Sequence, residues 1–162
     1  MAVRLVIADT SPINYLILIG HIDLLPRLFE RVVPPRDVQT ELSSPVAPPP
    51  VQRWMAKLPL WLEVFDMQAI VPIDGLHKGE AAAIALAEFL HADLLLIDER
   101  QGFRVAKSRG LRVTGTLGVL DLAAERGLID FDQAIRKLER TSFRRPATLL
   151  DGLRKKHGER TV

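Results

Sequence analysis

Positions 3–8 run apolar with Arg4 as the only break and stop at Asp9, the pattern of a strand buried on both faces of a parallel sheet. A helix follows, with Thr10 or Ser11 as its cap, Pro12 in its first turn and Gly20 at its end. A short helix over 22–30, a brief strand over 31–33 and a helix over 35–42 come next. The segment SSPVAPPP at 43–50 cannot hold a helix and reads as an ordered turn or short extended spacer. Beyond it the pattern predicts a helix over 51–58 and a strand over 61–65. Residues 79–90 carry alanine and leucine on most faces, so this helix should be well buried. A central strand over 94–97 ends at Asp98, an amphipathic helix over 100–109 stops at Gly110, and a strand over 111–114 leads into a helix over 116–126 that Gly127 stops. Asp130 can cap a helix reaching Arg140, and a last helix covers 146 to about 156. Strands alternating with helices imply an α/β fold, with a mainly parallel sheet covered on both faces by right-handed crossovers.

A length of 162 residues suits one domain over 1–162 with a core of its own. The absence of cysteine removes disulfide, thiolate–metal and cysteine-nucleophile chemistry together. With 48% hydrophobic and 26% charged residues the chain should fold as a globular protein. The longest apolar stretches, 13–19 and 94–97, fall far short of the ~20 residues a membrane helix needs. The start MAVRLVIAD lacks the apolar run of a secretory signal, so a cytoplasmic address is the default expectation. The net charge of +2 hides an asymmetry, because residues 1–135 carry 13 basic and 17 acidic side chains whereas 136–162 carry 9 and 3. Residues 131–162 thus read as a basic helical extension. Its Arg144, Arg145, Arg154, Lys155 and Lys156 are the candidate contacts to RNA or to a partner, against the blander reading of a solvated helix face.

Two acids stand out by position. Asp9 and Asp98 each follow an apolar strand directly, and ligands of open parallel sheets bind outside those carboxyl ends. Helix capping explains either acid alone; the pair weakens that explanation. Glu80 opens the alanine-rich helix, where the helix N-terminus favours a carboxylate, whereas Glu41 falls in a last helical turn, where the dipole disfavours one. If the four meet, repulsion and desolvation raise their pKa values unless a divalent cation compensates. An oxygen-only donor set selects a hard ion, Mg²⁺ or Mn²⁺, with Asp9, Glu80 and Asp98 as ligands, and such an ion suits hydrolysis of a phosphodiester. Thr10 and Ser11 could orient water near the first acid, although capping explains them equally well. The TGTLG segment around Thr116 offers N–H groups that could hold a phosphate, but a plain strand-to-helix turn is the simpler account. His77 could face Glu80. Tyr15, Trp54 and Trp61 could stack on bases, with core packing the larger expectation.

The strings ADTSPINYL, VVPP leading to Glu41, GEAAAIALA, ADLLLIDER and GLRVTGTLGVL, taken in order over residues 3–130, resemble the PIN-domain family, and more narrowly a prokaryotic branch related to the VapC toxins. The resemblance implies a three-layer α/β/α sandwich and Mg²⁺- or Mn²⁺-dependent cleavage of RNA. It also implies a homodimer and a small antitoxin partner. Carried over by position, Asp9, Glu41, Glu80 and Asp98 match the four family acids. The chain departs from the family pattern at Glu80, where aspartate is commoner, and at Gly102, where many relatives carry a further aspartate. A receiver-like phosphoacceptor would need an acidic pair after the first strand, and Asp9 is followed by Thr10 and Ser11. A catalytically silent RNA- or protein-binding domain on the same fold is the remaining alternative.

Overall fold

A computed structural model describes residues 3–158. In chain order the elements are β1 (Leu5–Ala8), α1 (Thr10–Leu18), α2 (Leu24–Leu28), β2 (Arg31–Val33), α3 (Arg36–Leu42), α4 (Pro49–Met55), α5 (Lys78–Phe89), β3 (Leu94–Leu96), α6 (Arg100–Ser108), β4 (Val113–Thr114), α7 (Thr116–Glu125), α8 (Phe131–Glu139) and α9 (Ala147–Gly158). The strands form one sheet in the order β2-β1-β3-β4, and every pairing is parallel. Successive strand residues point to opposite faces, so the sheet feeds two cores. Val6, Ala8, Leu94 and Leu96 join Ile13 and Leu16 of α1, Leu120 of α7 and Ile135 of α8 on one side. Ile7, Leu95 and Ile97 join Ile84 and Leu86 of α5 and Ala106 of α6 on the other. This is the three-layer α/β/α sandwich expected from the alternating pattern.

Three local expectations change. The strand expected over 61–65 reduces to two isolated parallel bridges, Val32 to Leu62 and Pro35 to Phe65. β2 runs straight into Pro34 and Pro35, which have no N–H to donate, so a continuous ladder cannot form there. The proline segment does enter a helix after all: Pro49 and Pro50 make the first turn of α4, where a missing N–H costs nothing. Neither Thr10 nor Ser11 caps α1; the cap position belongs to Asp9, whose side chain makes no capping bond.

The basic C-terminal region is part of the packed body. Phe131, Ala134, Leu138, Phe143 and Leu150 are buried in the first core. Arg154 reaches Asp132 at 3.1 Å, Asp151 at 3.8 Å and the carboxylate of Glu139, while Lys156 pairs with Asp121 at 2.9 Å and Glu125 at 2.6 Å. These two cations, expected at RNA or a partner, spend their charge clamping α9 onto α8 and α7. Lys155 and Arg144 are exposed. Tyr15 meets Phe143 edge to face, and Trp54 lies 5.9 Å from Trp61 with both packed on the core, so these aromatics are structural. No helix among the described residues is long and apolar enough to cross a membrane.

Candidate active site

The register of β1 on β3 pairs Ala8 with Leu96, and the Asp9 amide donates to the Leu96 carbonyl at 2.9 Å. Two apolar strands therefore release their first polar residues side by side at one sheet edge, Asp9 from β1 and Asp98 from the chain leaving β3. The first turn of α5 brings Glu80 to the same edge, and the last turn of α3 brings Glu41. Asp9, Thr10, Ser11, Glu41, His77, Lys78 and Glu80 line one cleft of about 530 Å³. Asp98 lines a second groove beside it, of about 720 Å³. Three of the expected acids thus share a cleft, and the fourth stands in the adjoining wall.

Their electrostatics differ with their surroundings. Asp9 is 3% exposed; burial lifts its carboxyl to about 7 against the opposing Thr10 amide, and the charges of Glu80, Glu41 and Asp98 add to the rise. Glu80, 8% exposed, is likewise raised to about 7, first by burial and then by the charge and shared hydrogen bond of Glu99. Asp9 Oδ1 and Glu80 Oε2 are both buried without a hydrogen-bond partner. Glu41 is exposed and accepts a 2.7 Å hydrogen bond from Thr10 Oγ1, so Thr10 holds Glu41 rather than a helix end. Ser11 lines the cleft beside them.

Asp98 is held on both oxygens by Thr116, whose amide donates at 2.7 Å and whose hydroxyl donates at 2.6 Å. The N–H that could have met a phosphate in the TGTLG turn is given to Asp98 instead. Burial raises the Asp98 carboxyl, opposed by the Thr116 bonds and by the Arg145 charge. Arg145 Nη2 lies 3.8 Å from Asp98 Oδ1 and donates to the Asp98 backbone carbonyl at 2.8 Å.

Glu99 is the residue that sequence reasoning passed over. Its carboxylate accepts the Gln101 amide at 3.0 Å and the Gly102 amide at 2.7 Å, capping α6. Burial opposes ionisation, but these two amides and the hydrogen bond with Glu80 keep it below the usual carboxylate range. The two neighbouring carboxyls are thus pushed apart, Glu80 upward and Glu99 downward. The spacing Glu99-x-x-Gly102 was the available signal, hidden because glutamate is not a favoured N-cap.

Glycines make the room for these acids. A Cβ on Gly79 would stand 2.3 Å from Glu41 Oε1, and one on Gly115 would stand 2.4 Å from Asp98 Oδ1. On Gly102 it would meet Ile97 Cδ1 at 2.6 Å and Glu80 Oε2 at 3.4 Å, so a side chain there would have to displace the end of Ile97 and would crowd Glu80. Gly79→Ala separates site from scaffold. Alanine in the first turn of α5 should hold or raise stability by up to about 1 kcal/mol, while the exposed Glu41 carboxylate must swing away from Thr10. Thermal melting should show an equal or higher Tm, and any activity that uses the cleft should fall; a lower Tm with intact activity would mean that Gly79 serves packing alone.

A metal is implied by the fold family, and the donor set fits a hard cation: oxygen ligands, two of them buried, raised in pKa and each with one oxygen lacking a hydrogen-bond partner. Among the described residues no group of three or more acidic or histidine side chains stands ready-made as a metal site. PIN domains typically bind divalent metals and are generally nucleases. The curated proteins contain no match to this chain, and neither do the solved structures. The family model DUF3368, described as a PIN domain, matches residues 5–159. With strand-end acids at Asp9 and Asp98, helix-borne acids at Glu41 and Glu80 and an all-parallel sheet beneath them, this chain belongs to the PIN-domain family.

Proposed function

We propose that the protein is a Mg²⁺- or Mn²⁺-dependent endoribonuclease that hydrolyses RNA phosphodiesters. The observation that carries this reading is the pair Asp9 and Glu80, two buried carboxyls with orphaned oxygens in one polar cleft at the carboxyl ends of parallel strands. Burying two such groups beside each other destabilises the fold unless an ion or a reacting proton uses them. Asp9, Glu80 and Asp98 would hold the metal, which supplies Lewis acidity at the phosphate and lowers the pKa of water. Thr10 orients Glu41 at the open side of the cleft, where its carboxylate accepts the proton of an attacking water. Thr116 fixes the rotamer of Asp98 from the opposite wall. Toxin of a toxin–antitoxin pair or a close relative, with a small antitoxin as partner, a homodimeric state and a cytoplasmic location, completes the proposal.

The Asp98 latch favours a second reading, a catalytically silent RNA- or protein-binding domain, because an acid saturated by Thr116 and flanked by Arg145 is already satisfied without metal. Incubation of the purified chain with a labelled RNA in Mn²⁺, with and without EDTA, separates the two. Cleavage that EDTA stops is the expected result. Intact RNA in Mn²⁺ would leave only the silent domain. Growth arrest on induced expression, relieved by a small gene beside it, tests the toxin assignment.

A further inference from the structure

The groove beside Asp98 has a built character that the acid cleft does not use. Leu117 and Phe103 line it together with Leu149, a leucine left 46% exposed at the start of α9. Arg100, Arg104 and Arg145 also line it, the first two one helical turn apart on α6. Arg145 is anchored independently of any ligand. Its guanidinium donates to the Asp98 carbonyl at 2.8 Å and to the Arg144 carbonyl at 2.7 Å, and its Cζ lies 4.7 Å over the Phe143 ring. The Asp98 carboxylate stands 3.8 Å away and already carries two Thr116 bonds, and Arg145, one-third exposed, lines the groove. Arg100 and Arg104 are exposed.

We infer that this groove is the subsite for the nucleotide next to the scissile phosphate, with Arg145 and Arg104 on the flanking phosphates and the base against Phe103 and Leu149. The inference rests on the ribonuclease reading and extends it. Three observations converge on a nucleotide as the occupant. Asp98 lines this groove and stands beside the acid cleft, so a strand lying in the groove delivers its neighbouring phosphate to the acids. The guanidinium fork matches phosphate, and an immobilised arginine loses little freedom on binding it. A groove of about 720 Å³ with an apolar lining and a cationic rim accepts a base and its phosphates together.

The test is anisotropy of a fluorescein-labelled single-stranded RNA 12-mer with the full chain in EDTA, over a series of salt concentrations. Leu149→Glu adds a carboxylate to the groove at a first-turn position of α9, where the helix dipole tolerates it, so the fold should persist. It should weaken binding about 5- to 150-fold, the range of one stacked base. Arg104→Ala and Arg145→Ala should each weaken binding several-fold and flatten the salt slope by about 0.7, the value of one phosphate contact to a single strand. Arg4→Ala, before β1 at the opposite end of the sheet, should bind as the parent does. Parent-like affinity in both Leu149→Glu and Arg104→Ala, or no RNA binding by the parent at low salt, overturns the inference and leaves the groove to a protein occupant. Cleavage in Mn²⁺ is scored separately: cleavage without groove-dependent binding sinks the subsite alone, and groove-dependent binding without cleavage sinks the ribonuclease reading and with it the place beside a scissile phosphate, leaving the groove as an RNA-binding surface.

Discussion

Asp9→Asn will melt about 5 °C higher than the parent at pH 8 in EDTA, on the scale of 2–4 °C per kcal/mol for a chain of this size. On the ribonuclease reading proposed above, the same substitution will reduce RNA cleavage in Mn²⁺ at least about 100-fold, beyond the range of residues that merely support a metal ligand. The sign of the stability effect follows from proton linkage. The Asp9 carboxyl titrates near 7 in the folded chain against 3.8 ordinarily, and that of Glu80 near 7 against 4.5. Between those limits the folded state holds protons that the unfolded state has released, so the contribution of these two groups to stability is greatest at low pH and falls as pH rises toward 7. Above 7 both states are ionised and the loss is constant. At about 1.4 kcal/mol per pKa unit the full windows amount to about 4 kcal/mol for Asp9 and about 3 kcal/mol for Glu80, upper figures because the two are coupled. Asparagine fills the same space without the buried charge, so the variant should lose roughly half of the decline, and differential scanning calorimetry across pH 4–8 reads this directly. A lower Tm at pH 8 would show that the Asp9 carboxylate holds structure. Added Mn²⁺ should stabilise the parent by about 2.7 kcal/mol at a hundredfold excess over its Kd and the variant by much less.

Gly115→Ala should lower Tm by about 5 °C and cut cleavage about 100-fold, the cost of misplacing a reacting group by an ångström. The backbone at Gly115 is extended, with φ −120° and ψ −166°, and alanine adopts it without strain. The damage comes from the added methyl group, 2.4 Å from Asp98 Oδ1 and 3.3 Å from the Ile97 carbonyl. Asp98 is short and doubly bonded to Thr116, so it escapes only by breaking charge-assisted bonds worth about 1.5–3 kcal/mol each. Glu41 beside Gly79 is longer and exposed and gives way at the cost of one exposed hydrogen bond from Thr10, which is why the two glycine substitutions should part company in Tm. Melting and cleavage measured on both variants check the contrast. A Gly115→Ala protein with parent activity would remove Asp98 from the chemistry.

Much of the site was readable because its residues obey one-dimensional rules. Asp9 and Asp98 end uninterrupted apolar runs, and a run buried on both faces can end only where the sheet ends. Glu80 and Glu41 were found by their places in helical turns, first and last. The resemblance to the PIN-domain family rested on those same strings and is matched by the family model over residues 5–159. Glu99 escaped because its partners are the amides of Gln101 and Gly102 and the carboxyl of Glu80, and the last of these lies on another helix. Lys156 and Arg154 looked like free cations because the string shows only their density, whereas their charges are met by Asp121, Glu125, Asp132 and Glu139 on neighbouring helices.

By itself the sequence determined the alternation of strands and helices, the parallel sheet and the identity of the strand-end acids, since these depend on hydrophobic period, turn residues and burial, which are local. Only the tertiary structure decided that Asp9 and Glu80 are left with orphaned oxygens, that Thr116 and Arg145 hold Asp98, and that Gly79, Gly102 and Gly115 clear space for three carboxylates. Those outcomes rest on contacts between residues as far apart as Asp98 and Arg145. A charge or a cavity belongs to the surroundings that helix packing creates, and no period along the chain encodes which side chain will stand a few ångströms away.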